Sequence, residues 1–160
     1  MRRLRLASLL LLPCLSLVSG CTEAVSFNDT MVQLTQDLER AGRKFGERLI
    51  QHEGKRDPLD DDYADVVGEV GKIVKRAKAV QVPNLTGAKA YHEAFLEYME
   101  FEEDAVDREF RKLVSAASRR DRESLMTNLE RLNKLELKEV AKLKAAQKAF
   151  AQANNVTVRD

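Results

Sequence analysis

The chain has no tryptophan and only two cysteines, two histidines, three prolines and seven glycines among its 160 residues. Each scarcity closes something off. With so little Cys and His there is no zinc-ligand pattern and no CxxCH haem attachment, and the Glu-x-x-His pairs of di-iron bundles are missing too. A Gly-rich phosphate loop and a nucleotide-binding fold are equally absent. His52 and His92 fall at the end of the first predicted helix and one turn into the third. They therefore lie at opposite ends, cannot share a metal, and read as surface or flank residues. Long hydrophobic runs are lacking as well. The one apolar segment, residues 6–18, is interrupted by Pro13 and falls short of the roughly 20 residues that span a bilayer. Nor does charge of one sign dominate, with 27 basic against 26 acidic residues. Without the three arginines of the opening segment, 24 basic residues face 26 acidic ones, and such a chain is no nucleic-acid binder by bulk charge. No internal repeat or low-complexity segment is evident.

What is present begins with the leader. Arg2, Arg3 and Arg5 precede the apolar segment, which closes on Val18-Ser19-Gly20-Cys21. Basic, then apolar, then small is the order of a secretory signal. The closing residues resemble the lipobox of bacterial lipoproteins. That resemblance implies cleavage between Gly20 and Cys21, a diacylglyceryl group on the Cys21 sulfur and acylation of its new amino group. Several acyl chains give stable attachment, since each buried methylene contributes about 0.8 kcal/mol. It also implies a place in the envelope, and Thr22, where an inner-membrane retention signal has aspartate, points to the outer membrane. Cys14 then leaves with the signal and Cys21 is capped, so the mature chain has neither thiol nor disulfide and rests on packing alone. The triplets at Asn28, Asn84 and Asn155 match the glycosylation pattern by chance in such a setting.

The remaining 140 residues have the size of one domain. Their Ala, Leu, Glu, Lys and Arg favour helix. Breakers fall at "GKRDP" (54–58), "PNLTG" (83–87) and "SRRDRES" (118–124). Between them run four segments with apolar residues every three or four positions. The first carries Phe27, Met31, Leu34, Leu38, Ala41, Phe45 and Leu49. The second opens on an Asp57 cap with Pro58 and Asp60 to Asp62 behind it, and carries Tyr63, Val66, Val67, Val70, Ile73, Val74 and Ala77. The third follows a Thr86 cap with Tyr91, Phe95, Tyr98, Met99, Ala105, Val106, Phe110 and Leu113. The fourth starts near Asp121 and shows Leu125, Leu129, Leu132, Val140, Leu143 and Phe150. Short connections predict an all-α, antiparallel up-down-up-down four-helix bundle. The chain divides into a signal (1–20), a lipidated cysteine with a short tether (21–26), the bundle (27–155) and a tail (156–160). Residues 22–26, if extended, reach at most about 18 Å, so the bundle sits close to the membrane. The end facing it is basic: Lys72, Lys75, Arg76, Lys78 and Lys89 occur with no acidic residue between positions 70 and 92, and Lys142, Lys144 and Lys148 add to them.

"FNDTMVQL" and "YHEAFLEYM" resemble the first and third helices of the soluble four-helix b-type cytochromes, in which a methionine on the first helix and a histidine late in the fourth hold haem. Met31 matches the methionine, but "KAFAQ" puts Ala151 where the histidine belongs. The resemblance implies a bundle of that type without haem, and no cofactor is expected. One pair of residues breaks the apolar pattern. At 100° per residue Glu102 falls inside the third stripe and Glu136 inside the fourth, each about 17 residues from the Arg119-Arg120 turn and so level with the other. Gly42, Gly46, Gly68 and Gly71 near that height leave room there. Buried carboxylates at one level raise each other's pKa, share a proton or hold a cation, unless basic side chains pair with them. They are the candidate metal or ligand residues. The leading functional expectation is a non-enzymatic, lipid-anchored module that binds an envelope protein partner. A ligand- or metal-binding bundle using Glu102 and Glu136 is the alternative.

Overall fold

The computed structural model describes residues 16–52, 56–115 and 119–157, with side chains from residue 22 onward except 56–58, 113 and 119–130. The described residues form an all-α four-helix bundle and contain no strand. Its helices are α1 (Ser16–Gln51), α2 (Arg56–Lys78), a third run made of α3 (Ala88–Ala105), a π-helical turn (Val106–Phe110) and α4 (Arg111–Ser115), and finally α5 (Arg119–Ala153).

The apolar stripes become the core. On α1, Phe27, Met31, Leu34, Leu38, Ala41 and Phe45 are buried, and Leu49 packs at the edge. From α2 come Val66, Val70, Ile73, Val74 and Ala77, and from α3 Tyr91, Phe95, Tyr98 and Met99. Leu143 and Phe150 complete the core from α5, while Leu113, Leu125 and Leu129 fall outside the described side chains. Burying each large side chain contributes roughly 1.5–3 kcal/mol.

Contacts between distant residues fix which helix ends meet. Phe27, Tyr91 and Phe150 form an aromatic triangle, with ring centroids 5.8 Å (Phe27–Tyr91), 5.4 Å (Phe27–Phe150) and 5.6 Å (Tyr91–Phe150) apart. The amide of Gln147 donates to Asn28 Oδ1 (2.9 Å), and buried His92 donates Nε2–H to the Ala77 carbonyl (3.1 Å). The start of α1, the end of α2, the start of α3 and the end of α5 thus share one end, called proximal below. At the other, distal end Phe45 stacks on Phe110 (4.9 Å, 14° between planes), and Arg48 and His52 reach Asp62.

Four local features differ from the sequence expectation. Residues 22–26 are helical, not an extended tether, and Ala24 is fully buried. The stretch holds no Pro or Gly to stop the helix, and Ala24 is the next core position one turn before Phe27–Asn28. At the start of α3, Thr86 is not the cap. Gly87 occupies that position with φ 78° and makes no side-chain cap bond, while the Thr86 carbonyl accepts the Asn154 amide (2.8 Å). Glycine answers the left-handed turn, and a Cβ there would stand 3.5 Å from the Phe150 backbone, in ordinary van der Waals contact. His92 is buried, because its ring covers the last turn of α2. The third helix is also interrupted by the π-turn, where Tyr63 donates its hydroxyl to the Asp107 carbonyl (3.1 Å), an acceptor freed by the wider turn. The end of α5 closes as a Schellman cap: Asn155 is left-handed (φ 54°), and the Val156 amide donates to the Ala151 carbonyl (2.9 Å). The Asn155 triplet has a structural explanation.

A carboxylate layer in the middle of the bundle

Of the candidate site residues, Glu102 and Glu136 are brought within electrostatic reach of each other. Glu102 sits one turn after Tyr98 on α3, and Glu136 one turn before Val140 on α5. Both are half-buried. Glu102 Oε1 is shut off from solvent and has no hydrogen-bond partner. Burial first, and the Glu136 charge second, push its pKa up from 4.5 to about 7. Glu136 is raised too, by burial and then by Glu39. The nearby hydroxyl of Tyr98 is held well above its ordinary range, mainly by burial and further by Glu102, Glu136 and Glu39. Among the described residues, no Lys or Arg forms an ion pair with any of these three glutamates.

Glu39 was not singled out in the sequence because it is an exposed residue beside Leu38, outside the stripe. Register could have found it. Phe27 meets Tyr91 and Phe45 meets Phe110, so α1 and α3 keep an offset of 64 to 65 residues, which brings Glu39 level with Glu103. The glycines do not make the room expected of them. A Cβ on Gly42, Gly46 or Gly68 would meet no heavy atom within 4 Å, and one on Gly71 only Glu103 Oε1 at 3.9 Å. They face open space at the helix surfaces, not a void around Glu102.

Chemically the layer is an acid held partly protonated near neutral pH, with an uncommitted buried oxygen. No group of three or more His, Cys, Asp or Glu among the described residues is arranged to hold a metal ion. Haem fits poorly. Ala151 is buried and has no ligating atom, and the triangle of Phe27, Tyr91 and Phe150 fills the core one turn from Met31.

A second polar cluster closes the distal end. Asp62, buried, accepts from Arg48 Nη1 (2.7 Å) and from His52 Nδ1 (2.7 Å), and Arg48 Nη1 also reaches Asp65 (2.9 Å). Asp62 complements the start of α2, and its buried carboxylate also ties the end of α1 to α2. The cavity against it, lined by Arg48, Asp62 and Asp65 among others, measures only about 10 Å³, and the cluster serves as a clamp.

Residues 1–15 of the leader lie outside the described residues, as does the side chain of Cys21. The backbone of both belongs to α1. No described helix is long and apolar enough to cross a membrane. No family model, curated protein or solved structure matches the chain.

Proposed function

We propose that the protein is a lipid-anchored bacterial envelope lipoprotein, cleaved before Cys21 and attached through it, whose up-down-up-down bundle acts as a non-enzymatic interaction module for an envelope protein. The observation that carries this reading is the continuity of α1. The helix passes through Cys21 without a break, and three residues later Ala24 is fully buried. An acylated Cys21 would therefore sit less than one turn from the core, about 5 Å along the axis, and would fix the bundle to the bilayer at its proximal end. The ending of the leader in small residues and a cysteine supports the same reading, and Thr22 favours the outer membrane, facing the periplasm. Cys21→Ala tests it: the variant loses labelling by a fatty-acid analogue and accumulates as uncleaved precursor or as soluble product. Cleavage after Gly20 with membrane retention in the absence of lipid would overturn it.

A second reading has one observation in its favour. The buried, unpartnered Oε1 of Glu102 beside Glu136 fits a bundle that takes up a proton or a small cationic ligand at mid-height. Melting of the wild type and of Glu102→Gln/Glu136→Gln, with chelator and with added divalent metal, separates the two readings. Metal-dependent stabilisation lost in the double variant supports ligand binding, and identical melting under both conditions removes it.

A further inference from the structure

The ring of four helices is tight on three sides and loose on the fourth. α1 runs close along α2, and α5 along α3, but α1 and α5 come close to each other at few places. They are joined at the proximal end, by Phe27 on Phe150 and by Gln147 on Asn28. At helical spacing from Asn28, the same face of α1 carries Thr35, Glu39, Gly42, Gly46 and Ile50. A Cβ on Gly42 or Gly46 would meet no heavy atom within 4 Å, and Ile50 is 79% exposed. On α5 the face that carries Gln147 continues through Val140 to Leu137, which is 61% exposed. Distally, the two faces are turned toward each other without closing.

Three carboxylates meet at this seam. Carrying the proximal register along the antiparallel pair sets Glu39 level with Glu136 and Leu137, and Glu102 faces them from α3. The Tyr98 hydroxyl lies within reach of all three charges. Glu102 Oε1 is shut off from solvent without a hydrogen-bond partner. The neighbouring cations are committed elsewhere or stand outside. On α1, Arg40 pairs with Asp37, and Arg43 is exposed. α2 turns Val70, Ile73 and Val74 inward; the Arg76–Asp37 and Lys44–Glu69 pairs set Lys72 and Lys75 at this height, but on its exposed side. On α5, Lys142 holds Glu139, and Lys134 and Lys138 are exposed. Glu103, next along α3, lies beside Gly71.

We propose that the seam is a proton-operated hinge: with Glu102 and Glu136 neutral, the distal halves of α1 and α5 close on each other about the Phe27–Tyr91–Phe150 triangle and cover Leu137, and with both ionised, repulsion among Glu39, Glu102 and Glu136 holds them apart. The inference rests on the proton-uptake reading of the carboxylate layer and adds its structural consequence. Neutral carboxyls need no counter-ion in a closed seam, whereas like charges repel more strongly there as water leaves. A proton therefore binds the closed form more tightly than the open one, and by linkage draws the equilibrium toward it. The closed form is favoured at low pH and lost as pH rises through the Glu102 value of about 7. A difference of about one unit in that value between the two forms changes the closed-to-open ratio about tenfold.

Arg43 and Asn133 are exposed and stand at one height on the two sides of the seam. Spin labels on Arg43→Cys and Asn133→Cys read its width, in the full chain with Cys14→Ala and Cys21→Ala so that no other thiol reacts. The expected result is a rise of about tenfold in the ratio of short to long distances from pH 8 to pH 5, with helix content by circular dichroism unchanged. Glu102→Gln/Glu136→Gln keeps the short distance at both pH values. Glu47→Gln, exposed on the outer side of α1, responds like the parent chain. A ratio that does not change with pH overturns the proposal, and so does a pH response that survives Glu102→Gln/Glu136→Gln. An NMR titration of the side-chain carboxyls separates the two ways of failing. Titration of Glu102 in the ordinary carboxylate range overturns the proton-uptake reading and the hinge with it. Titration near neutrality at a fixed label distance leaves that reading standing and overturns the hinge alone.

Discussion

The two ends of the bundle are held by different forces. Proximally, Phe27, Tyr91 and Phe150 interlock, Gln147 ties α5 to α1 at Asn28, the His92 ring ties α3 to α2, and α5 ends in a Schellman cap. Distally, one aromatic stack is joined by ion pairs around Asp62 and by a π-turn whose freed carbonyl is taken by Tyr63. The carboxylate layer lies between them. Packing of large rings is short-ranged and indifferent to salt and pH, whereas ion pairs and buried acids respond to both. The proximal end is therefore the rigid part, and the distal half is where partners, protons or salt can change the protein.

The largest test strikes the rigid end. Phe150 is fully buried against Phe27 and Tyr91, and truncation to Ala leaves a cavity that two flanking rings cannot close. Phe150→Ala should lower unfolding free energy by about 3–5 kcal/mol, read from denaturant melts, with exchange protection lost first at the start of α1 and the end of α5. A loss below about 1 kcal/mol, or one confined to the distal helices, would mean that the triangle is not what holds this end.

At the distal end the comparable probe is Asp62→Ala. Removing a buried carboxylate that accepts two bonds, from Arg48 and His52, should cost about 2 kcal/mol. Arg48 keeps Asp65 and is one-third exposed, so water softens the loss. The effect should be local, with faster amide exchange at the end of α1 and start of α2 while the Phe150 region stays protected. Uniform loss of protection would show that the two ends unfold as one and would break the comparison.

How much of this was legible depended on periodicity. A stripe with a step of three or four specifies which residues are inside, and almost every described stripe residue is buried or packed at its edge. Glu102 was visible for the same reason, as a carboxylate in an apolar phase. What stayed hidden depends on neighbours distant in sequence. Glu39 joins the layer only through the register between α1 and α3, and the Asp62 clamp requires knowing that His52 folds back onto α2. Gly87 takes the cap position from Thr86 because the backbone there is left-handed (φ 78°), where the connection meets the end of α5 through Asn154. The continuation of α1 through 22–26 has only a negative signal in the sequence, the absence of Pro and Gly there.

The carboxylate layer gives a smaller and pH-dependent effect. Glu102 has a pKa of about 7 in the folded chain against about 4.5 unfolded. Between those values the folded state binds more protons, so stability falls as pH rises through that window and the loss is complete above about pH 7. Glu136, also raised, adds in the same direction, and Glu39 opposes ionisation of Glu136. Allowing for solvent at a half-buried acid, the loss between pH 5 and 8 should be roughly 1–2 kcal/mol. Glu102→Gln removes the charge and most of the slope, so it should be more stable than wild type at pH 8 and similar at pH 5. Parallel pH profiles for the two proteins would show that Glu102 is solvated and that the layer has no acid held near neutrality.

The smallest effect sharpens the comparison from the other side. Gly42, Gly46, Gly68 and Gly71 lie inside helices, in the distal half or at mid-height. A helix-interior glycine costs roughly 0.5–1 kcal/mol relative to alanine, through the backbone freedom it retains when unfolded. At Gly42, Gly46 and Gly68 a Cβ meets nothing within 4 Å, so no clash offsets that gain. Each change to Ala should stabilise the bundle by about 0.5–1 kcal/mol. Exchange protection should rise at the end of α1 and the middle of α2, narrowing the gap between distal and proximal ends. Gly87→Ala is the internal control, since there φ is 78°, so the same chemical change should destabilise. Destabilisation at Gly42, Gly46 or Gly68 instead would mean that another surface packs closely against these glycines in the native protein, and it would locate the partner's contact on the distal half.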